Sequence, residues 1–126
     1  MKFSFCRITV FLWILFLGLS TSVYAQLSPD LRSYRERAEE ALKAKNYKQA
    51  VPYLEEWVKV NPKDVESMVI LSRCFMSLQQ PDKAFSYLQD AAEFGYQYHK
   101  AIVNDTIFTM LHFRKGFDEI IAMMKR

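Results

Sequence analysis

Glycine and proline are scarce, 3 and 4 residues among 126. That excludes a collagen-like or Pro/Gly-rich disordered chain, and with 51% apolar and 25% charged residues the composition is that of one ordinary folded domain. No stretch sustains the period-two alternation of half-buried strands. Glycine-rich phosphate loops, GxSxG and HExxH are all missing, and with them the common signatures of nucleotide binding, serine hydrolysis and zinc proteolysis. Cysteine is nearly absent too, with only Cys6 and Cys74.

What is present begins with an address. Lys2 and Arg7 flank the start of an apolar run, Ile8 to Leu19, that Ser20-Thr21-Ser22 closes. This is the order of a secretory signal peptide, and Val23 and Ala25 fill the small-residue positions before a cut expected after Ala25. The alternative is an uncleaved anchor. A span needs roughly 20 apolar residues, and the run is shorter, which favours removal; contact with a membrane is expected only if the segment is retained. Cleavage leaves residues 26–126 with 15 basic against 14 acidic side chains, so most of the formal +3 of the whole chain belongs to the leader. Net charge then gives no indication of a nucleic-acid surface. Cys74 remains alone, no intramolecular disulfide can form, and no cysteine follows the apolar run to carry a lipid. The expectation is a soluble exported protein, periplasmic or extracellular.

After a short leader, residues 26–30, apolar residues recur at spacings of three and four, the mark of helices with one buried face. Ser28-Pro29-Asp30 opens the first helix, with Leu31, Tyr34, Ala38, Ala41 and Leu42 as its stripe and an end near Lys45-Asn46. A second is expected over Tyr47 to Val60, stopped by Asn61-Pro62. A third runs from about Asp64 to Leu78, and a fourth from Pro81 to Phe94, ended by Gly95. Connections this short make neighbours antiparallel, giving two helical hairpins in tandem.

Shifting the chain by 34 residues superposes Ala50 on Ala84, Tyr53 on Tyr87, Leu54 on Leu88 and Glu56 on Asp90, and places Ala38 on Ser72. On these residues the sequence resembles the tetratricopeptide repeat, whose 34-residue unit carries an aromatic, a small residue, Ala, a large apolar residue and finally Pro. Tyr34, Ala38, Ala50, Leu54 and Pro62 match in residues 31–64; Leu71, Ser72, Phe75, Ala84 and Leu88 match in residues 65–98. The departures are Arg37 for a leucine, Ala41 for an aromatic, Trp57 for a small residue and Tyr96 for the closing proline. Trp57 is expected to wedge against the second unit near Ser72. The resemblance implies an all-α, right-handed stack of antiparallel helix-turn-helix hairpins, a TPR-like α-solenoid. From Gln97 the chain is not expected to continue the 34-residue register, but residues 99–126 carry their own apolar sets, with Asn104-Asp105 as the cap of a short helix and Phe117 leading a last one. They look like the tail that follows terminal units in other exported bacterial proteins, and are expected to serve as a helical end cap.

For catalysis the candidates are Cys74, His99 and His112. Cys74 lies between Leu71 and Phe75 and reads as a buried structural residue; the histidines have no ligand-like spacing to it or to each other, so no metal, cofactor or catalytic residue is expected. Glu39-Glu40 and Glu55-Glu56 point apart on their helices and read as solvated faces. The concave face, lined by the first helix of each hairpin, is the better candidate for binding a protein or peptide. Off the packing stripe it offers Arg32, Arg35, Glu39, Leu42 and Lys43, then Glu66, Val69, Ile70, Arg73, Met76 and Ser77. Some members of the family hold a terminal carboxylate with a basic and asparagine clamp; Arg35 stands at the basic position, but Glu39 replaces the Asn and Ile70 offers no amide, so that mode is not expected here. The functional expectation is a non-enzymatic protein-protein interaction module or assembly factor. A structural subunit that self-associates as a homodimer is the alternative, and a small Cys-dependent enzyme the third reading.

Overall fold

A computed structural model describes residues 31–126. The proposed leader, its cleavage point and the Ser28-Pro29-Asp30 start signal lie outside them. Helices are α1 Leu31–Lys43, α2 Tyr47–Val60, α3 Val65–Ser77, α4 Pro81–Glu93, α5 His99–Val103 and α6 Phe117–Met124, with a 3-10 segment Thr106–Phe113 between the last two. No strand occurs among the described residues. The fold is the expected all-α stack of hairpins: α1 packs on α2, α3 on α4, and α2 on α3.

The turns explain the hairpins. Asn46 caps α2, its side chain accepting from the Gln49 amide at 3.2 Å, and Asp64 caps α3 in the same way through the Ser67 amide at 3.2 Å, each satisfying a donor that a helix start leaves unpaired. Both hairpin turns bend through a residue in the left-handed region, Lys45 at φ 54° and Gln79 at φ 58°, which stand 34 residues apart. Each turn is closed by a 2.8 Å backbone bond, Asn46 to the Ala41 carbonyl and Gln80 to the Phe75 carbonyl. Gly95, at φ 101°, makes the corresponding bend after α4.

Small residues sit where helices approach. Ala38, Ala50, Ala84 and Ala91 are fully buried, as close backbone contact requires. Ser72 is fully buried between them, and its hydroxyl donates to the Ala84 carbonyl at 2.6 Å, joining α3 to α4. Around these contacts one apolar cluster gathers Val51, Leu54, Leu71, Cys74 and Phe75, with Tyr87 stacked on Phe75 at 5.5 Å and its hydroxyl donating to Glu55 at 3.2 Å. A second, larger cluster joins Met68, Val69, Leu88 and Tyr96 to the tail residues Ile102, Phe108, Leu111, Phe117, Ile120 and Met124. Val58 and Met76 pack against both.

Several boundaries differ from the sequence reading. α1 ends at Lys43, leaving Lys45 and Asn46 to the turn; Asp64, Leu78 and Phe94 are caps flanking their helices. α5 was not anticipated. The short helix expected after Asn104-Asp105 is a 3-10 segment, capped by Asp105, which accepts from the Ile107 amide at 3.1 Å. The tail lacks the repeat's residue pattern yet keeps its spacing: His99 begins 34 residues after Val65, and Phe117 begins 36 after Pro81. Its first helix is broken at Asn104-Asp105, and it packs through the 3-10 segment on α3 and through α6 on α4.

Candidate functional site

The N-terminal half of the concave surface is built by α1 and the end of α2. Arg32, Arg35, Glu36 and Glu39 fall three or four residues apart on α1 and so share one face. Opposite them stand Trp57 and Asn61 at the end of α2. Together they line an open concavity of about 550 Å³. Trp57 and Asn61 also line a second hollow of about 500 Å³, completed by Val60, Pro62, Lys63 and Asp64.

The indole is held in place. Trp57 Nε1 donates to Asp64 at 2.6 Å, while the Arg35 guanidinium lies 5.6 Å from the ring centroid, within cation–π range. Arg35 also pairs with Glu39 at 3.2 Å and reaches Asp64 at 3.8 Å. Burial alone would raise the Asp64 carboxyl, but the hydrogen bonds from Trp57 and Ser67, with the Arg35 charge behind them, outweigh it and hold the group below its ordinary value. Asp64 therefore stays ionised, caps α3, and fixes an aromatic plate that lines two hollows. What this arrangement can do is bind: it offers a flat apolar face rimmed by both signs of charge.

The sequence-based set divides sharply. Arg32, Arg35 and Glu39 line the concavity. Lys43 and Glu66 are exposed, whereas Leu42, Ile70 and Met76 are half-buried and pack against the apolar clusters. Val69 is a correction: it is 2% exposed and belongs to the core shared with the tail. The reason is that α3 lies between the first unit and the tail, so it buries two stripes, Leu71, Cys74 and Phe75 towards one and Met68 and Val69 towards the other. Arg73 is half-buried and bound to the tail, its Nε 3.0 Å from the Asp105 carboxylate; the Nε–H finds no aligned acceptor, so the contact is ionic. In the second half of the expected concave face, Val69 is thus taken by the core and Arg73 by the tail. Trp57, Glu36 and Asn61 were missed as lining residues. Trp57 bonds to Asp64, the last residue of the first unit and the cap of α3, while Ser72, against which it was expected to wedge, closes on Ala84. The signal was available: an indole where the repeat carries a small residue has to be accommodated outside the tight helix contact.

The remaining candidates keep structural places. Cys74 is buried, and desolvation pushes its thiol up to about 11. The His112 ring packs on Phe117 at 4.7 Å. Among the described residues, no group of three His, Cys, Asp or Glu is placed to hold a metal ion.

Residues 41–102 match the family model of the tetratricopeptide repeat. The chain carries tetratricopeptide repeats. The matched stretch runs from the buried Ala41 through both hairpin turns to Ile102, so it takes in α2, α3 and α4 and the start of the tail. No curated protein and no solved structure matches the chain. Tetratricopeptide repeats generally mediate protein-protein interactions, and no helix among the described residues is long and apolar enough to cross a membrane.

Proposed function

We propose that the chain is a non-enzymatic interaction module of the cell envelope or the extracellular space, exported by its N-terminal segment, that grips a protein or peptide partner at the Trp57 groove. The location rests on the Lys2/Arg7-flanked apolar run and the small residues before Ala25. The binding mode rests on one observation: the half-buried indole of Trp57 is pinned by Arg35 and Asp64 where it lines two open hollows. A fixed aromatic surface costs little side-chain entropy when a ligand docks, and interface energy concentrates on Trp and Arg side chains of this kind.

Capture from an envelope fraction on the immobilised chain starting at Gln26 tests the reading. Wild type should retain a partner that Arg35→Glu and Trp57→Ala each lose, while Lys43→Glu, outside the hollow, retains it. Recovery of the same proteins by all variants would refute the groove. Arg73 is unsuitable for this purpose, because its substitution loosens the tail.

A further inference from the structure

The 3-10 segment has three residues per turn, so its side chains form three lines. Phe108 and Leu111 lie on one and are buried, at 0% and 1% exposure; Thr106 and Thr109 lie on the second and face water. On the third, Ile107 is half-buried at the base, and Met110 and Phe113 stand out at 71% and 89%. Phe113 is not a fraying end. Its neighbours on both sides are clamped: His112 packs on Phe117, and Arg114 pairs with Asp82 and lies 4.9 Å over the Phe85 ring. The chain thus holds a large apolar ridge outward on the unit that ends the stack, where a terminal repeat is ordinarily polar.

We infer that the Met110–Phe113 ridge joins two copies of this chain tail to tail about a two-fold axis. Two observations choose this occupant. First, the ridge is followed at once by charges of both signs, Lys115 and then Asp118 and Glu119, all exposed and none in an ion pair among the described residues. Such a patch is self-complementary: in an isologous pair Lys115 of each copy meets Asp118 and Glu119 of the other. Second, the other end of the stack disfavours head-to-tail association. Among the described side chains of α1 none is a large exposed apolar one, and its exposed positions include Arg37 and Glu40 beside the charged groove residues; stacking Phe113 there would bury charge against an apolar ring. The ridge is remote in sequence from the Trp57 groove, so the pairing stands independently of the proposed partner site.

Sedimentation of the chain from Gln26, from low micromolar to millimolar concentration, is the test. The mass should rise from one chain to two. Phe113→Asp and Met110→Asp should each weaken association at least about tenfold, with helical circular dichroism unchanged. Lys115→Glu should weaken it alone, as should the pair Asp118→Lys with Glu119→Lys, and an equimolar mixture of those two proteins should pair again. Capture at the Trp57 groove should be unaffected by Phe113→Asp, which separates this result from failure of the partner site. A monomer at every concentration, association indifferent to Phe113→Asp, or a mixture that does not re-form would each overturn the inference.

Discussion

Asp64 carries more of the structure than any other single carboxylate. It caps α3 through the Ser67 amide and hydroxyl, accepts from Trp57, and lies 3.8 Å from Arg35. Its folded-state value lies below the ordinary 3.8, so the stabilisation it gives is fully present above that value and is lost as pH falls through the lower folded one. Asp64→Ala should cost about 1–2 kcal/mol at neutral pH, and Asp64→Asn, which can still cap, should cost less. Urea denaturation of all three proteins at pH 7 and at pH 3 checks this: the gap between wild type and Asp64→Ala should narrow at the lower pH, and a gap independent of pH would show that the charge plays no part. Cys74 gives a contrasting prediction. A thiol pushed up to about 11 by burial is almost wholly protonated at pH 8 and is shielded as well, so iodoacetamide should modify it slowly in the folded chain and readily in urea. Rapid modification without denaturant would restore the reactive-thiol reading.

At the scale of elements, the two hairpin turns hold an avoidable strain. Lys45 and Gln79 both adopt a left-handed conformation that costs a non-glycine residue about 1–3 kcal/mol. Lys45→Gly and Gln79→Gly should each stabilise the chain by about 0.5–1 kcal/mol, since the relief exceeds the extra backbone entropy of glycine; both side chains are exposed, so little packing is lost. A lower denaturation midpoint for either variant would count against the turn geometry. These helices were legible in sequence because caps, the Asn61-Pro62 stop and three-four spacing all agree within each hairpin. The tail was less so. A 3-10 segment has period three, which sets Ile107, Met110 and Phe113 in one line whose last two members are exposed. Val69 was misread for a related reason: the pattern of α3 was interpreted against its own hairpin, and its second buried stripe exists only because the tail, through the 3-10 segment, folds back beside it. Trp57 was legible as an anomaly, but its indole, expected to wedge near Ser72, is half-buried and lines two surface hollows.

Across the whole molecule the question is whether two apolar clusters make one cooperative unit. Stacked repeats are coupled only through neighbours, and here the coupling has identifiable parts: Val58 and Met76 touch both clusters, and Ser72 ties α3 to α4 at their centre. Phe108 lies in the tail cluster and is fully buried, so Phe108→Ala should cost about 3–5 kcal/mol. That is a large share of the about 5–15 kcal/mol available to a domain. Trp57, at the far end of the stack, is the sole tryptophan in the chain starting at Gln26, and in that chain its fluorescence reports the first hairpin alone. If Val58 and Met76 transmit the loss, the Trp57 transition in urea should move down together with the loss of helical circular dichroism, and the two curves should coincide. A Trp57 transition unmoved by Phe108→Ala would mean that the hairpin next to the binding groove stands without the tail, and that covering α3 serves the second unit only. Coincidence would instead make the tail a condition of the groove: the broken third unit would stabilise α3, the helix that Asp64 caps, and through Asp64 the position of Trp57.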